Sequence, residues 1–256
     1  MTTAIAINNV SMEYATPKGT THVLDGVSYE VTEGHFVAIV GPSGVGKTTL
    51  LRLLTGLAQP TAGEITMQGK KITGPPAGLA VVLQDYTRSL MPWLTVERNI
   101  ALPLKNQKLP KAEMAQRIES SLEEVGLAGQ GSKYPWQMSG GMQQRASIAR
   151  ALAVRPNILV MDEPFASVDA QTRFDLEDLV LKVRDDFGIT TLMVTHDIDE
   201  AVYLSDEILV LHGKPAKVRD VVTVDIPFPR SQMATRNDAK FADLRTHVYA
   251  MVRGIE

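Results

Sequence analysis

The sequence predicts an α/β fold on a largely parallel sheet, and two patterns carry that expectation. Short apolar runs, "HFVAIVG", "NILVMDEP", "TTLMVTHD" and "EILVLHG", read as strands buried on both faces. Helical periodicity falls between the later ones, the alternation expected of strands joined by crossover helices. The 256 residues suffice for one large domain, or a domain with a subdomain and a tail.

Taken in order, residues 4–40 read as β-rich, because "AIAINNVSMEY" and "VLDGVSYEV" alternate apolar and polar residues ahead of "HFVAIVG". "TTLLRLLTG" reads as a helix stopped by Gly56. Turn and strand signals return in "GEITMQGKKITG". Residues 95–155 change character: "KAEMAQRIESSLEEVGL" and "QQRASIARALAV" are helical by period, so this block reads as an insertion between two parts of the sheet domain. A helix with Leu176, Leu179, Val183 and Phe187 on one face follows "NILVMDEP". "DIPFPR" is a Pro-rich link to a last amphipathic helix carrying Phe241, Leu244, Val248 and Met251.

Composition excludes several classes. Hydrophobic residues make up 44% and charged residues 21%, ordinary for a soluble globular chain. No apolar run approaches the roughly 18 residues of a membrane span, since Arg52, Asp85 and Arg98 interrupt the best candidates. "MTTAIAINNV" has no basic stretch ahead of an apolar core, so no signal peptide is expected. The absence of cysteine rules out disulfides and thiolate metal sites and fits a reducing cytoplasm. A net charge of −3 leaves no electrostatic footprint for nucleic acid.

"GPSGVGKTT", residues Gly41, Pro42, Ser43, Gly44, Val45, Gly46, Lys47, Thr48 and Thr49, matches G-x-x-x-x-G-K-[ST] between a strand and a helix. The glycines let backbone N–H groups turn inward around phosphates, where side chains would collide. Lys47 brings a mobile positive charge to the β- and γ-oxygens, and the Thr48 hydroxyl suits Mg²⁺. The chain is therefore expected to bind ATP or GTP. "ILVMDEP" ends a strand in Asp162 and Glu163, which divide labour: Asp162 on the Mg²⁺ shell, Glu163 facing an attacking water. His196, in "THDIDE", ends another strand at the same edge, where it can contact the γ-phosphate. Gln84, in "VVLQDY", offers an amide to Mg²⁺ or water. A second anion cradle is suggested by "MSGGMQQR", where Ser139, Gly140 and Gly141 precede a helical pattern with free N–H groups.

With these pieces assembled, residues 4–225 resemble the ATP-binding cassette (ABC) ATPases. The resemblance rests on six motifs in order: the Walker A "GPSGVGKTT", the Q-loop Gln84, the signature "MSGGMQQR", the Walker B "ILVMDE", the D-loop "SVD" and the switch histidine of "VTHD". It implies a RecA-like, mostly parallel core, an antiparallel β subdomain, a helical signature subdomain over 85–155 and a short helical tail over 226–256. It also implies ATP hydrolysis with Mg²⁺, with Thr48, Gln84 and Asp162 toward the metal, Tyr14 stacking on adenine, Glu163 as catalytic base and His196 on the γ-phosphate. In this family the signature of one subunit closes over nucleotide held by the P-loop of its partner. Ser139, Gly140 and Gly141 would thus face a second copy's ATP, with Asp169 across the interface.

"ITGP", "PWLTV" with "NI", and "SGGMQQR" resemble the importer ATPases for nitrate, sulfonates and taurine. That branch implies a peripheral subunit on the cytoplasmic side of the membrane. It docks on two permease subunits near Leu90–Leu94, where Leu90, Met91, Pro92 and Trp93 look exposed, and is fed by a solute-binding protein. "SVD" replaces the common "SALD" and "LQDY" the common "FQ" context, and the tail lacks the long regulatory domain of some relatives. Met142 stands where the common "LSGGQ" has the glutamine that completes a capping box, so the helix start is expected to be less fixed by about 0.5 kcal/mol. Two other readings compete. An ABC protein acting on nucleic acid or the ribosome usually carries two cassettes, coiled coils or zinc-binding cysteines, none of which this sequence has. A non-ABC P-loop kinase or GTPase leaves the signature and His196 unexplained.

Overall fold

The computed structural model describes residues 2–17, 19–85 and 89–255. Ten strands form two sheets among them. β1 (Thr3–Thr16), β2 (Gly19–Thr32), β4 (Ala62–Met67) and β5 (Lys70–Lys71) make an antiparallel sheet in the order β2-β1-β4-β5. The second sheet runs β10-β9-β3-β8-β7-β6, from β3 (Phe36–Val40), β6 (Leu79–Val82), β7 (Ile158–Asp162), β8 (Thr190–Val194), β9 (Glu207–His212) and β10 (Lys217–Thr223). Only β10 is antiparallel to its neighbour.

The apolar runs become the inner parallel strands because both their faces are covered. All five residues of β3 are buried, as are all five of β8. Alternate side chains of β3 enter different cores: Phe36, Ala38 and Val40 one, Val37 and Ile39 the other. The second core also holds Ile5, Ile7 and Val10 of β1 and Leu50, Leu53 and Leu54 of α1 (Lys47–Leu54), which seats the antiparallel sheet against that face. The first core takes the other helices, α2 (Val96–Leu104), α3 (Lys111–Glu124), α4 (Gly140–Leu152), α5 (Ala170–Phe187) and α6 (Ile198–Leu204). α2, α3 and α4 pack on one another in the region that reads as an inserted helical block.

Register brings the strand ends level: Ile39 pairs with Val194, Val194 with Asp162, and Val82 with Met161. The carboxyl ends of four neighbouring parallel strands therefore open on one edge, where ligands of such sheets bind. The tail adds α7 (Gln232–Arg236) and α8 (Ala239–Arg253), with Phe241 and Val248 buried and Leu244 and Met251 partly buried. Among the described residues no helix is long and apolar enough to cross a membrane.

Two expectations fail. Phe187 does not join the buried stripe of α5; it is 52% exposed at the last helical residue, beside Gly188, which ends the helix in the left-handed conformation. The stripe has run past the sheet there, and Phe187 lines a surface cleft with Arg155 and Asn157. Leu90 is not exposed either but packs in the first core, leaving Trp93, 69% exposed, as the large apolar group of Leu90–Leu94. The turn leading into α2 is held by buried Asn99, whose Oδ1 accepts from Met91 N at 2.7 Å. Its Nδ2 donates to the carbonyls of Met91, Leu94 and Thr95 at 3.1, 3.2 and 3.1 Å. Residues 86–88 of the segment after Gln84 lie outside the described residues.

Candidate active site

β3 delivers the chain into Gly41, and the loop to α1 curls around a cleft of about 640 Å³. Gly44 (φ 72°) and Gly46 (φ 122°) take backbone conformations that disfavour any side chain. At Gly46 a Cβ would also sit 3.0 Å from Leu24 Cδ2. Ser43, Gly44, Gly46, Lys47, Thr48 and Thr49 line the cleft together with Val23, Glu163 and His196. Val45 instead turns its side chain into the second core, its N–H donating to Pro42 O at 3.2 Å.

Lys47 is buried, and its Nζ donates to Gly41 O at 2.8 Å and Pro42 O at 3.3 Å. Burial pulls its pKa below the usual lysine range, while the carboxylates of Glu163 and Asp162 oppose that fall. Asp162 ends β7, and burial first, then the neighbouring Glu163 charge, raise its pKa; Lys47 and Arg52 act the other way. A pair of crowded carboxylates relieved in part by a cation is an environment that Mg²⁺ fits.

Glu163 follows with φ 42°, uncommon for a residue bearing a side chain, and its N–H is held by Val194 O at 2.8 Å. That turn separates the two carboxylates. Glu163 Oε2 accepts from Gln84 Nε2 at 3.0 Å and lies 3.2 Å from His196 Nδ1. Residues from the ends of β6, β7 and β8 thus meet at one carboxylate oxygen beside the loop that follows β3.

The His196 turn is anchored on both flanks. Asp197 caps α6, its Oδ1 accepting from the N–H groups of Asp199 and Glu200 at 2.9 and 3.2 Å. The Thr195 hydroxyl donates to Glu200 Oε2 at 2.6 Å and accepts from Asp197 N at 3.0 Å. Burial pushes the Glu200 carboxyl up to about 7.

The other expected residues do not line this cleft. Ser139 caps α4, its Oγ accepting from Met142 N at 3.3 Å. Gly141 is pressed against α5, where a Cβ would fall 2.3 Å from Thr172 Cγ2. Asp169 caps α5, accepting from the Thr172 N–H at 3.0 Å and hydroxyl at 2.7 Å, bonds that hold its pKa below the usual carboxylate range. Tyr14 stands on β1 opposite Thr21, and Ser139, Gly140, Gly141, Asp169 and Tyr14 are all absent from the cleft lining. Sequence reasoning missed Val23, which no motif marks, and Asn99, an ordinary polar residue until its four backbone bonds are seen.

A phosphate-cradling loop at the end of a central parallel strand, with acidic residues ending a strand two places along the same sheet, defines a P-loop nucleotide hydrolase. The chain belongs to the ABC transporter family, whose sequence model matches residues 24–166. It is 40% identical over 246 residues to the bicarbonate transport ATP-binding protein CmpD of Synechococcus elongatus, covering 95% of this chain and 88% of that protein. It is 39% identical over 252 residues to the nitrate import ATP-binding protein NrtC of the same species, covering 97% of this chain and 38% of that longer protein. A dimeric ATP-binding cassette in a post-hydrolysis state bound to ADP and Pi superposes with a TM-score of 0.76, at 30% identity over 87% of this chain and all of that one. The chain is accordingly an ATP-binding ATPase subunit of the transporter class, and the reading as a nucleic-acid or ribosome factor finds no support in these matches.

Proposed function

We propose that the chain energises import of a small anionic solute, binding ATP with Mg²⁺ and hydrolysing it as a head-to-tail dimer on the cytoplasmic face of two permease subunits. The anion class follows the bicarbonate and nitrate functions carried by the names of its relatives. The observation that carries the hydrolytic reading is the convergence of Gln84 and His196 on one oxygen of Glu163 at the mouth of the P-loop cleft.

In this reading the backbone from Gly41 to Thr49 and the Lys47 ammonium hold the phosphates, and Tyr14 stacks on adenine. Thr48, Gln84 and Asp162 hold Mg²⁺, which supplies charge neutralisation on the phosphate oxygens. Glu163 accepts a proton from water as the water oxygen attacks the γ-phosphorus and the bond to the β–γ bridging oxygen breaks. His196 steadies the γ-phosphate. Ser139, Gly140 and Gly141, with Asp169 nearby, close on nucleotide held by a partner copy, so ATP joins the subunits and hydrolysis frees them. Exposed Trp93, on a loop fixed by Asn99, supports permease docking near Leu90–Leu94.

Glu163→Gln tests the assignment. ATP binding should persist and hydrolysis fall by a factor of about 100 or more, and size-exclusion chromatography in ATP should show a trapped dimer. Turnover near the wild-type rate would remove Glu163 from the chemistry.

A further inference from the structure

α6 has seven residues, and its cap Asp197 directly follows His196. The Thr195–Glu200 and Asp197 bonds fasten the histidine turn to this helix, so whatever fixes α6 also sets His196. Arg173 of α5 reaches the near end, donating to Asp197 Oδ2 at 3.0 Å.

The far end is held from the tail. Arg230, 9% exposed, donates through one guanidinium nitrogen to the carbonyls of Val202, Tyr203 and Ser205 at 3.2, 2.8 and 2.9 Å. These carbonyls close α6 and have few partners within it. A second nitrogen donates to Ile226 O at 2.9 Å. The guanidinium lies 3.9 Å from the Phe228 ring centroid, and Arg184 of α5 lies 4.0 Å from the same centroid. Further along, Gln232 donates to Glu177 at 3.0 Å and Asp178 at 2.9 Å on α5, while Asp178 accepts from Tyr203 of α6 at 2.7 Å.

We propose that the tail from Ile226 to Arg253 clamps α6 against α5, and that Arg230 is a positioning residue for His196. This rests on the role given to His196 in the proposed function. A tail serving only as a cover would need no more than Phe241 and Val248, which already fill the core. A cation buried on three carbonyls at the end of one short helix is a costly way to add cover but an effective way to orient that helix.

Arg230→Lys in the full chain tests the clamp, because a lysine keeps the charge but has a single nitrogen and no planar fork, so it cannot hold the α6 carbonyls and Ile226 O together while lying flat on Phe228. Amide hydrogen exchange over residues 195–205 of the nucleotide-free protein should accelerate about tenfold, with residues 47–54 unchanged. In the assembled transporter kcat should fall about fivefold or more while KM for ATP stays within about twofold. Gln232→Ala, which removes no buried charge, should act in the same direction more weakly and serves if the lysine variant does not fold. Accelerated exchange across both segments, or a loosened 195–205 with wild-type kcat, would reduce the tail to packing and overturn the proposal. The exchange pattern needs no catalysis, so it stands even if Glu163→Gln proves active; that outcome overturns the active-site reading alone.

Discussion

Two stretches of this chain carry glycines suited to phosphate, and they are built differently. The loop from Gly41 to Lys47 relies on backbone conformations at Gly44 and Gly46 that side chains disfavour, closed by a buried lysine within its own cleft. The start of α4 has no such conformation: Gly141 has an ordinary helical backbone and is needed for space, against Thr172. The first cradle is finished within one chain. The second is a capped helix end outside the cleft, whose free N–H groups suit a ligand held elsewhere.

The sharpest way to break the first cradle is Lys47→Ala, expected to weaken ATP binding about a hundredfold by calorimetry; unchanged affinity would mean the cation is not aimed at phosphate. Behind the His196 turn, the raised pKa of buried Glu200 makes stability depend on pH. Its folded value of about 7 lies above an unfolded value of about 4.3, so the folded state binds the proton more tightly. That contribution is present at low pH, is lost progressively as pH rises from about 4.3 to 7, and amounts to at most about 4 kcal/mol. Glu200→Gln should therefore raise Tm relative to wild type at pH 8 more than at pH 5, and parallel profiles would show that the buried charge costs nothing.

For the second cradle, Gly141→Ala should cost about 1–3 kcal/mol by overpacking while sparing ATP binding. Thr172→Ser, which removes the clashing methyl and keeps the hydroxyl on Asp169, should restore much of that loss. A clash-free Gly141→Ala would deny the glycine its spatial role. The smallest effect concerns Met142. It packs against the first core, while Gln143 Nε2 donates to Met138 O at 3.2 Å and ties the helix start in another way. Met142→Gln should then lower stability by about 1 kcal/mol, contrary to the gain that a missing capping box suggests, and a raised Tm would favour the capping argument.

The parallel strands and the P-loop were legible because wholly apolar runs and fixed glycine spacing have few other solutions. Gln84, Glu163 and His196 could each be placed at a strand end, but their meeting at one oxygen depends on strand order, which a sequence pattern does not carry. Leu90 and Phe187 were misjudged because single apolar residues at an element's edge pack according to what lies across the gap. Arg230 was invisible for a related reason: a lone arginine after a Pro-rich link reads as surface until its carbonyl partners are seen.

The proposed contrast between a cradle completed within the chain and one completed by a partner is tested most directly by Ser139→Arg. ATP affinity should be measured on the isolated monomer and hydrolysis on the assembled protein. Affinity within about twofold of wild type with hydrolysis lost is the expected result. A monomer that no longer binds ATP would place Ser139 in the same site as Lys47 and contradict the division.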